Sequence, residues 1–319
     1  MSILGGWTAS DIPDLTGRRA LVTGTTSGLG LETAKALAAH GAHVVMTARD
    51  PQRGEQAVRR VRDAVPGASG SVELSMLDLA DLSSVRALAA AQAGEPLDLL
   101  VNNAGVMAVP LRRTADGFEL QIGTNHLGHF ALTGLLLPAL LARRGARVVT
   151  VSSIVHRSGA MNLADLMSER SYDPWKAYAQ SKLANLLFVR ELDRRFRAVG
   201  AEVRSVGAHP GGARTELVAS GPASGGGVGG LLMRAGTALV AQGAATGALP
   251  QLRAATDPGA EGGEVYGPRG LQEWRGLPQR VGVAPQAQDD LAAGLLWDES
   301  ARLTGVDYAV LGDKTSTAS

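Results

Sequence analysis

Short apolar runs alternate with longer amphipathic stretches along most of the chain. The apolar runs are rich in Leu, Val and Ala and stop at glycine or polar residues, as strands buried in a sheet do. Six of them are predicted strands, at residues 19–23, 43–48, 71–77, 97–101, 147–151 and 203–208, and a short seventh is expected near 264–266.

The stretches between these runs carry apolar residues at helical spacing. They predict helices at about 29–40, 51–65, 82–93, 115–143, 175–196, 242–256 and 287–303, with Asp81 as the N-cap of the third. Alternation of strand and helix is typical of a parallel sheet with helices on both faces. We therefore predict an α/β fold with a Rossmann-type, doubly wound parallel sheet. It is expected to be a single domain over residues 1–319, with a core at about 15–270 and a C-terminal helical extension at about 285–304.

The composition is that of an ordinary globular chain and argues against several classes of protein. The 319 residues are 45% hydrophobic and 19% charged, with a net charge of +1, so nothing indicates a nucleic-acid partner or a membrane-surface binder. No apolar run reaches the ~18 residues that span a bilayer, and the N-terminus lacks the pattern of a signal peptide. The absence of cysteine excludes disulfides and thiolate chemistry. We expect a cytoplasmic protein without a membrane partner.

A glycine-rich turn separates the first predicted strand from the first helix. Glycines at such a turn let the backbone approach a pyrophosphate, and the helix N-terminus offers it free N–H groups and a partial positive charge. The spacing G-x-x-x-G-x-G differs from the commoner G-x-G-x-x-G. An ordinary tight turn is the alternative, but the flanking strand and helix favour a dinucleotide site. The residues of the turn are Gly24, Thr25, Thr26, Ser27, Gly28, Leu29 and Gly30.

The end of the second predicted strand bears on which dinucleotide is bound. A site that prefers NAD places a carboxylate there to hold the ribose 2′-hydroxyl, whereas this chain has Ala48 followed by Arg49. A guanidinium suits a 2′-phosphate because it is permanently charged and can donate two parallel hydrogen bonds. A solvated surface arginine is the alternative. We predict NADP (NADPH) as the cofactor, with NAD less favoured.

Small or polar residues also follow the fourth and fifth predicted strands. Residues 102–105 leave room for a ligand at the carboxyl edge of the sheet, where open α/β sheets bind their ligands. Ser152 and Ser153 could polarise a carbonyl oxygen or merely satisfy the backbone groups of a turn. His126 and His129 lack acidic partners at ligand spacing, so no metal site is predicted.

Tyr178 and Lys182 lie four residues apart in the predicted helix 175–196, and therefore on one face of it. A cation beside a phenol favours its ionised form, which would make Tyr178 usable as a proton donor and acceptor. The same spacing also occurs by chance on many helices. Asn125 lies in the middle of the predicted helix 115–143, where an asparagine usually faces solvent or bonds locally.

Together these motifs resemble the short-chain dehydrogenase/reductase family. The spacing of the glycines is that of the non-extended branch. Arg49, the residues around Tyr178 and Lys182, and the long connection between Ser153 and Tyr178 are similar to retinol-dehydrogenase-like and WW-domain-oxidoreductase-like members. The matching motifs occur in the family's order over about residues 15–215: Thr23-Gly24-x-x-x-Gly28-x-Gly30, Asp78-Leu79, Asn102-Asn103-Ala104-Gly105, Asn125, Ser153, Tyr178-x-x-x-Lys182 and Pro210-Gly211.

The resemblance implies a role for each matched residue. Ser153, rather than Ser152, would bond the substrate carbonyl, and Tyr178 would supply the proton to the developing alkoxide. Lys182 would bind the nicotinamide ribose and lower the tyrosine pKa, while Asn125 would hold a water of the proton relay. The family also implies a homodimer or homotetramer. The implied cofactor contacts are Gly24 to Gly30, Arg49 on the 2′-phosphate, Asp78, Leu79, Asn103, Ala104, Gly105, Tyr178, Lys182, Pro210, Gly211, and Ala213 and Thr215 near the nicotinamide.

The function implied is an NADP(H)-dependent oxidoreductase that interconverts a ketone or aldehyde and an alcohol by hydride transfer. Residues 156–175 and 216–235 depart from the family pattern and would set the substrate. Apolar residues in the second segment suggest a lid around a Gly-rich tip at 219–230, favouring a hydrophobic small molecule; a packed loop is the alternative. A non-catalytic dinucleotide sensor or interaction protein on the same fold is the competing function. The complete set of four catalytic-type residues argues against it.

Overall fold

The computed structural model describes residues 6–212 and 243–312, which form one eight-stranded sheet with helices on both faces. The order across the sheet is β3-β2-β1-β4-β5-β6-β7-β8, and the first seven strands are parallel. The predicted doubly wound α/β fold is confirmed. The strands are β1 (Arg19–Val22), β2 (His43–Ala48), β3 (Ser71–Met76), β4 (Leu99–Asn102), β5 (Arg147–Val151), β6 (Arg204–Ala208), β7 (Val265–Pro268) and β8 (Pro278–Arg280).

Four of the helices begin where an aspartate caps them. The Asp50, Asp81, Asp173 and Asp289 carboxylates each accept an N–H from the first turn of the helix that follows. No helix built from the described residues is long and apolar enough to cross a bilayer. The helices are α1 (Gly28–Ala39), α2 (Pro51–Ala64), α3 (Leu82–Ala91), α4 (Leu120–Ile122), α5 (Gly128–Leu135), α6 (Leu137–Leu141), α7 (Pro174–Ala198), α8 (Ala244–Thr256) and α9 (Asp290–Thr304).

The strands are apolar throughout because both faces of the sheet are covered. Successive side chains of a strand point to opposite faces. On β1, Leu21 joins a core with Leu100 and Phe130, whereas Val22 joins a second core with Leu37 on the other face. The register pairs Leu21 with β2 on one side and β4 on the other, so strand order reverses at β1. A crevice for ligands opens at such a reversal, beyond the carboxyl ends of the strands.

The predicted helix at 115–143 is wrong in its start and in its continuity. A turn closed by Thr114 N–H on the Phe118 carbonyl occupies its first residues, and the helix begins only after Glu119, whose carboxylate accepts two helix N–H groups. Residues Gly123–Leu127 form a π-helix between α4 and α5. A second break separates α5 from α6 because Pro138, near the start of α6, has no N–H to continue the ladder.

Strand β8 was not predicted from the sequence. It runs antiparallel to β7, pairing Gln279 with Gly267, and begins with a proline, which gives no strand signal. The last predicted helix is also shifted, because a 3₁₀ turn at Pro285–Gln288 precedes α9.

Candidate active site

The glycine turn after β1 is shaped by close packing at two of its glycines. Gly24 has a φ of +71°, which favours glycine. A Cβ on Gly30, in the first turn of α1, would lie 2.3 Å from the Gly24 carbonyl oxygen and 2.6 Å from Asn103 Nδ2. Only glycine fits there, so the turn can fold tightly onto the N-terminus of α1. The free N–H groups of that terminus suit a pyrophosphate.

The loop after β4 is tied to this turn by two reciprocal sets of hydrogen bonds. Asn103 Nδ2 donates to the Thr23 carbonyl at 2.8 Å. In return, Thr23 Oγ1 accepts the backbone N–H groups of Asn103 and Ala104, each at 2.9 Å. The two loops that flank the crevice are therefore one rigid unit, and Asn103, predicted to line the cofactor ribose, also holds the glycine turn in place.

The ends of β2 and β3 lie at the same carboxyl edge. Arg49 is exposed directly after β2, while the Asp50 carboxylate is engaged by the Arg53 N–H at 3.0 Å. The only carboxylate next to Arg49 in the sequence thus serves as a helix cap. After β3, Asp78 is half-buried and accepts the Ala80 N–H at 2.9 Å, and Leu79 is buried.

The two serines after β5 have different surroundings. Ser152 is buried, and its hydroxyl donates to the Lys182 carbonyl at 2.7 Å, which fixes it to the backbone of α7. The Ser153 hydroxyl is hydrogen-bonded to the Tyr178 side chain. It also accepts the Val155 N–H at 3.3 Å, capping the 3₁₀ turn Ile154–Ser158. The geometry therefore favours Ser153 as the hydroxyl beside Tyr178.

Tyr178 lies in the second turn of α7 and is only 4% exposed. Burial raises its pKa to about 12, and the hydrogen bond from Ser153 offsets only part of that. Lys182 Nζ sits 5.8 Å from the tyrosine ring centroid, and desolvation is the largest influence on the pKa of Tyr178. Tyr178 therefore keeps its phenolic proton at neutral pH.

Lys182 is buried on the same face, one turn further along α7. Its Nζ donates to the Val151 carbonyl at 3.1 Å, and burial lowers its pKa to about 8. Gly105 brings the loop after β4 against it: a Cβ there would lie 3.4 Å from Lys182 Nζ and 2.9 Å from Asn125 Oδ1. Tyr178, Lys182 and Asn125 thus face one crevice together with the loop predicted to bind the cofactor.

Asn125 neither faces solvent nor bonds only within its helix. It is fully buried in the π-helix, where its amide pairs with the backbone of Val106: Oδ1 accepts the N–H at 2.8 Å and Nδ2 donates to the carbonyl at 2.9 Å. The second hydrogen of Nδ2 goes to Ser181 Oγ at 2.9 Å. With both amide hydrogens used, Asn125 holds the segment after Gly105 against the N-terminal part of α7.

His129 extends this arrangement to the glycine turn. Its Nδ1 bonds the Asn125 carbonyl at 3.0 Å and its Nε2 bonds Thr23 Oγ1 at 2.9 Å. A carbonyl only accepts, so Nδ1 carries the proton and Nε2 accepts from the threonine hydroxyl. Burial lowers the pKa of His129 to about 4, so it is neutral at physiological pH. His126 instead bonds Ser300 Oγ at 2.9 Å.

Gln121 is a buried residue that supports the loop after Gly105, and it was not predicted from the sequence. Its Oε1 accepts the Ala108 N–H at 2.8 Å, while its Nε2 donates to the Tyr172 hydroxyl and the Pro174 carbonyl, both at 2.9 Å. Gln121 precedes Asn125 by four residues, and the two amides bind alternate residues of one loop. The spacing of four residues, which puts the two amides on one helix face, was the only sequence feature that could have indicated the role of Gln121.

The last predicted cofactor segment follows β6. Gly211 has a φ of +63°, and its N–H points to His209 Nδ1 at 3.3 Å. A Cβ on Gly211 would lie 2.5 Å from the Glu273 carbonyl oxygen and 2.6 Å from that of Trp274, so Gly211 packs directly against these two residues. Ala213, Thr215, the apolar lid at 216–235 and its Gly-rich tip at 219–230 lie outside the described residues.

Comparison with known proteins gives consistent matches. A family model described as short chain dehydrogenase matches residues 18–224. Retinol dehydrogenase 12 from Homo sapiens is 40% identical over 296 residues, which are 92% of this chain and 88% of that protein. Polyprenol dehydrogenase from Mus musculus is 48% identical over 212 residues, which are 65% of this chain and 63% of that protein.

Among solved structures, an uncharacterised protein from Mycobacterium paratuberculosis is 44% identical with a TM-score of 0.79, covering 95% of this chain and 99% of that one. A candidate NAD(P)-dependent gluconate 5-dehydrogenase from Beutenbergia cavernae, with bound NADP, is 26% identical with a TM-score of 0.62, covering 79% and 95%. Sequence, fold and relatives agree on an NAD(P)-binding oxidoreductase that acts on CH–OH groups of small molecules. The chain belongs to the short-chain dehydrogenase family, and within it is similar to the retinol dehydrogenases.

Proposed function

We propose that this chain is an NADP(H)-dependent oxidoreductase that interconverts a hydrophobic carbonyl compound and its alcohol, with Tyr178 as proton donor and acceptor. The observation that carries the proposal is the convergence of Ser153, Tyr178, Lys182 and Asn125 on the crevice where strand order reverses, beside the glycine turn. A sensor would need the turn alone. A buried tyrosine bonded to a serine, with a buried lysine one turn away, is an arrangement for proton transfer.

The residues present fit a dinucleotide. The packing at Gly24 and Gly30 leaves the backbone of the turn and the N-terminus of α1 open to a pyrophosphate, and Gly105 leaves space in front of Lys182. When bound, the nicotinamide supplies or accepts the hydride. Lys182 and Tyr178 would hold the ribose of the nicotinamide, and Pro210 and Gly211 would contact the opposite side of the nicotinamide ring.

NADP is favoured over NAD by the end of β2. Arg49 is exposed there, and the neighbouring Asp50 carboxylate is already engaged as a helix cap. The position at the end of β2 where a carboxylate would hold a ribose 2′-hydroxyl is occupied by Ala48. The Beutenbergia cavernae structure with bound NADP, of the same fold, supports this choice.

The residues around the substrate carbonyl have separable tasks. The Ser153 hydroxyl would donate to the carbonyl oxygen, and the Tyr178 phenol, held protonated by burial, would deliver its proton as negative charge develops there. Lys182, with a pKa lowered to about 8, would place a positive charge beside the phenolate that remains. At neutral pH this protonation state suits reduction of a carbonyl, and oxidation of the alcohol should accelerate as pH rises.

An apolar substrate is supported by one aromatic contact at the mouth of the site. Trp175 is 39% exposed and its ring meets that of Tyr178 edge to face, with centroids 6.2 Å apart. An exposed indole next to the proton donor is a surface for an apolar chain. The names of the relatives, retinol and polyprenol dehydrogenases, point the same way.

The test is NADPH consumption by the purified protein across aldehydes and ketones graded from small and polar to long and apolar, with Tyr178→Phe as control. We expect turnover of the long apolar carbonyls, lost by a factor on the order of a hundred to ten thousand in Tyr178→Phe while NADPH binding persists. Binding without turnover of any compound would favour the sensor. Loss of NADPH binding in the variant would make Tyr178 structural.

A further inference from the structure

A cluster of charged side chains lies beside the crevice and has no part in the proposed chemistry. Glu273 Oε2 is 3.0 Å from His209 Nε2, and its Oε1 accepts from Arg157 Nη2 at 2.8 Å. The three residues come from the end of β6, the turn after Ser153, and the loop between β7 and β8. The side chains of His209 and Glu273 are 1% and 19% exposed, whereas that of Arg157 is 44% exposed, so the cluster runs from the interior to the surface.

The hydrogen bonds of His209 fix which of its ring nitrogens carries the hydrogen. A backbone N–H can only donate, so the Gly211 N–H makes Nδ1 an acceptor and leaves the proton on Nε2, directed at the Glu273 carboxylate. Glu273 thereby selects the form of His209 that can receive Gly211. The imidazole has little freedom to turn, because a Cβ on Gly267 beneath it would lie 2.3 Å from its Nε2.

The backbone around Glu273 is strained, which indicates that the contact is maintained against a cost. Gln272 and Glu273 have φ values of +51° and +60°, where side chains other than glycine are disfavoured. This conformation presents the Trp274 carbonyl to the Gly212 N–H at 2.8 Å. Two bonds therefore hold the segment from Pro210 to Gly212: one through His209 and one through Trp274.

We propose that Glu273 is a positioning residue that sets the Pro210–Gly212 segment against the nicotinamide and couples it, through Arg157, to the turn that carries Ser153. This rests on the proposed function, since it takes that segment as part of the cofactor site. Only a carboxylate satisfies both neighbours, because it accepts from Arg157 and from His209 Nε2 at once. A glutamine at this position must turn its amide N–H₂ toward one of the two donors.

The experiment measures NADPH dissociation constants and thermal midpoints for the full-length chain and three variants. In Glu273→Gln we expect NADPH to bind about tenfold more weakly, as loss of one charged hydrogen bond implies. Glu273→Gly relieves the positive φ while removing the carboxylate. It should therefore keep or raise the thermal midpoint and still weaken NADPH binding.

The control is Glu264→Gln, which removes a comparable ion pair, to Arg280 at 2.7 Å, at the opposite end of β7. It should leave NADPH binding at the wild-type value even where it lowers the thermal midpoint. If the role of Glu273 were merely structural, the NADPH dissociation constants of all three variants would change in proportion to their thermal midpoints.

The outcomes separate the two proposals. Wild-type protein that binds neither NADPH nor NADH would overturn the proposed function. Wild-type protein that binds NADPH, with both Glu273 variants matching it in affinity, would overturn the positioning role and leave the proposed function standing.

Discussion

At the amino edge of the sheet the buried carboxylate of Asp98 is paired with cations, whereas at the carboxyl edge Lys182 is buried without an ion pair to any carboxylate of the described residues. Asp98, just before β4, is 3% exposed; it accepts hydrogen bonds from Arg18 Nη1 at 2.6 Å and the Arg19 N–H at 2.9 Å, and forms an ion pair with Arg143 Nε at 3.6 Å. These contacts join the starts of β1, β4 and β5, so the charge at this edge stabilises the sheet.

Lys182 is equally buried, but its bond to the Val151 carbonyl supplies no negative charge, and within residues 6–212 and 243–312 no carboxylate forms an ion pair with it. Its lowered pKa measures the free energy that burial costs its charged form. The contrast teaches that this fold places stabilising charge at one edge of the sheet and tolerates destabilising charge at the other, where chemistry needs it.

The strongest test of the contrast is Lys182→Met. Turnover should fall by about a hundredfold or more, because the positive charge beside Tyr178 is lost. Stability at pH 7 should rise, on the order of 3 kcal/mol, because the shift of the Lys182 pKa from 10.5 to about 8 represents a cost of that size. Val151 keeps a partner, since Asn185 Nδ2 also donates to its carbonyl at 3.0 Å.

This gain should depend on pH in a definite direction. Below about pH 8 the native and unfolded chains both hold the lysine proton, so the wild type bears the full cost. Between about 8 and 10.5 the unfolded chain holds the proton and the native chain does not, so wild-type stability rises and the difference from Lys182→Met closes. Urea unfolding at several pH values measures it. A variant less stable than the wild type at pH 7 would show that the charge is compensated after all.

Asp98→Asn is the counterpart at the amino edge. It removes the charge that Arg18 and Arg143 share, and should cost about 2 to 3 kcal/mol of unfolding free energy, the range for hydrogen bonds to charged groups. The kcat and the NADPH affinity should stay at wild-type values, because the site is at the far edge. Unfolding in urea and steady-state kinetics check the two halves of the prediction. Loss of activity without loss of stability would contradict the assignment of a stabilising role to the amino edge and of the active site to the carboxyl edge.

The smallest expected effect is at Arg49, an exposed charge of the carboxyl edge. Arg49→Asp should leave the unfolding free energy nearly unchanged, since surface charges contribute little. It should reduce the preference for NADPH over NADH by at least about tenfold, the size expected when a charge-assisted bond to a 2′-phosphate is replaced by repulsion. The ratio of kcat/KM for the two cofactors measures it. An unchanged ratio would remove Arg49 from the 2′-phosphate site.

The parts of the fold that follow from hydrophobic continuity were predictable. Strands such as β5 and helices such as α7 are long, strongly patterned and close to their expected bounds. The glycine turn was predictable too, because its function demands a particular residue type. The π-helix around Asn125 was not, since one extra residue in a helical turn leaves no trace in an apolar pattern whose neighbours are all buried.

The partners of the site residues were beyond the sequence for a different reason. His209 and Glu273 are 64 residues apart, and Lys182 and Val151 are 31 apart, so only the folded chain brings them together. The burial that raises the Tyr178 pKa was beyond the sequence on the same ground. Spacing revealed the cation on the same helix face, but the degree of burial, which outweighs it here, depends on every element packed around α7.

The π-helix at Gly123–Leu127 has a consequence for anyone who edits this chain. A π-helical turn is equivalent to the insertion of one residue into an α-helix. Deleting one residue would restore a regular α-helix, but it would rotate the side chains after the deletion by about 100° relative to those before it. Gln121 before the π-helix and Asn125 within it bind the loop after Gly105, while Phe130 packs in the core beyond the π-helix. After a deletion, either the loop contacts or the core packing could be kept, but not both. The number of residues in this turn is therefore as constrained as their identity.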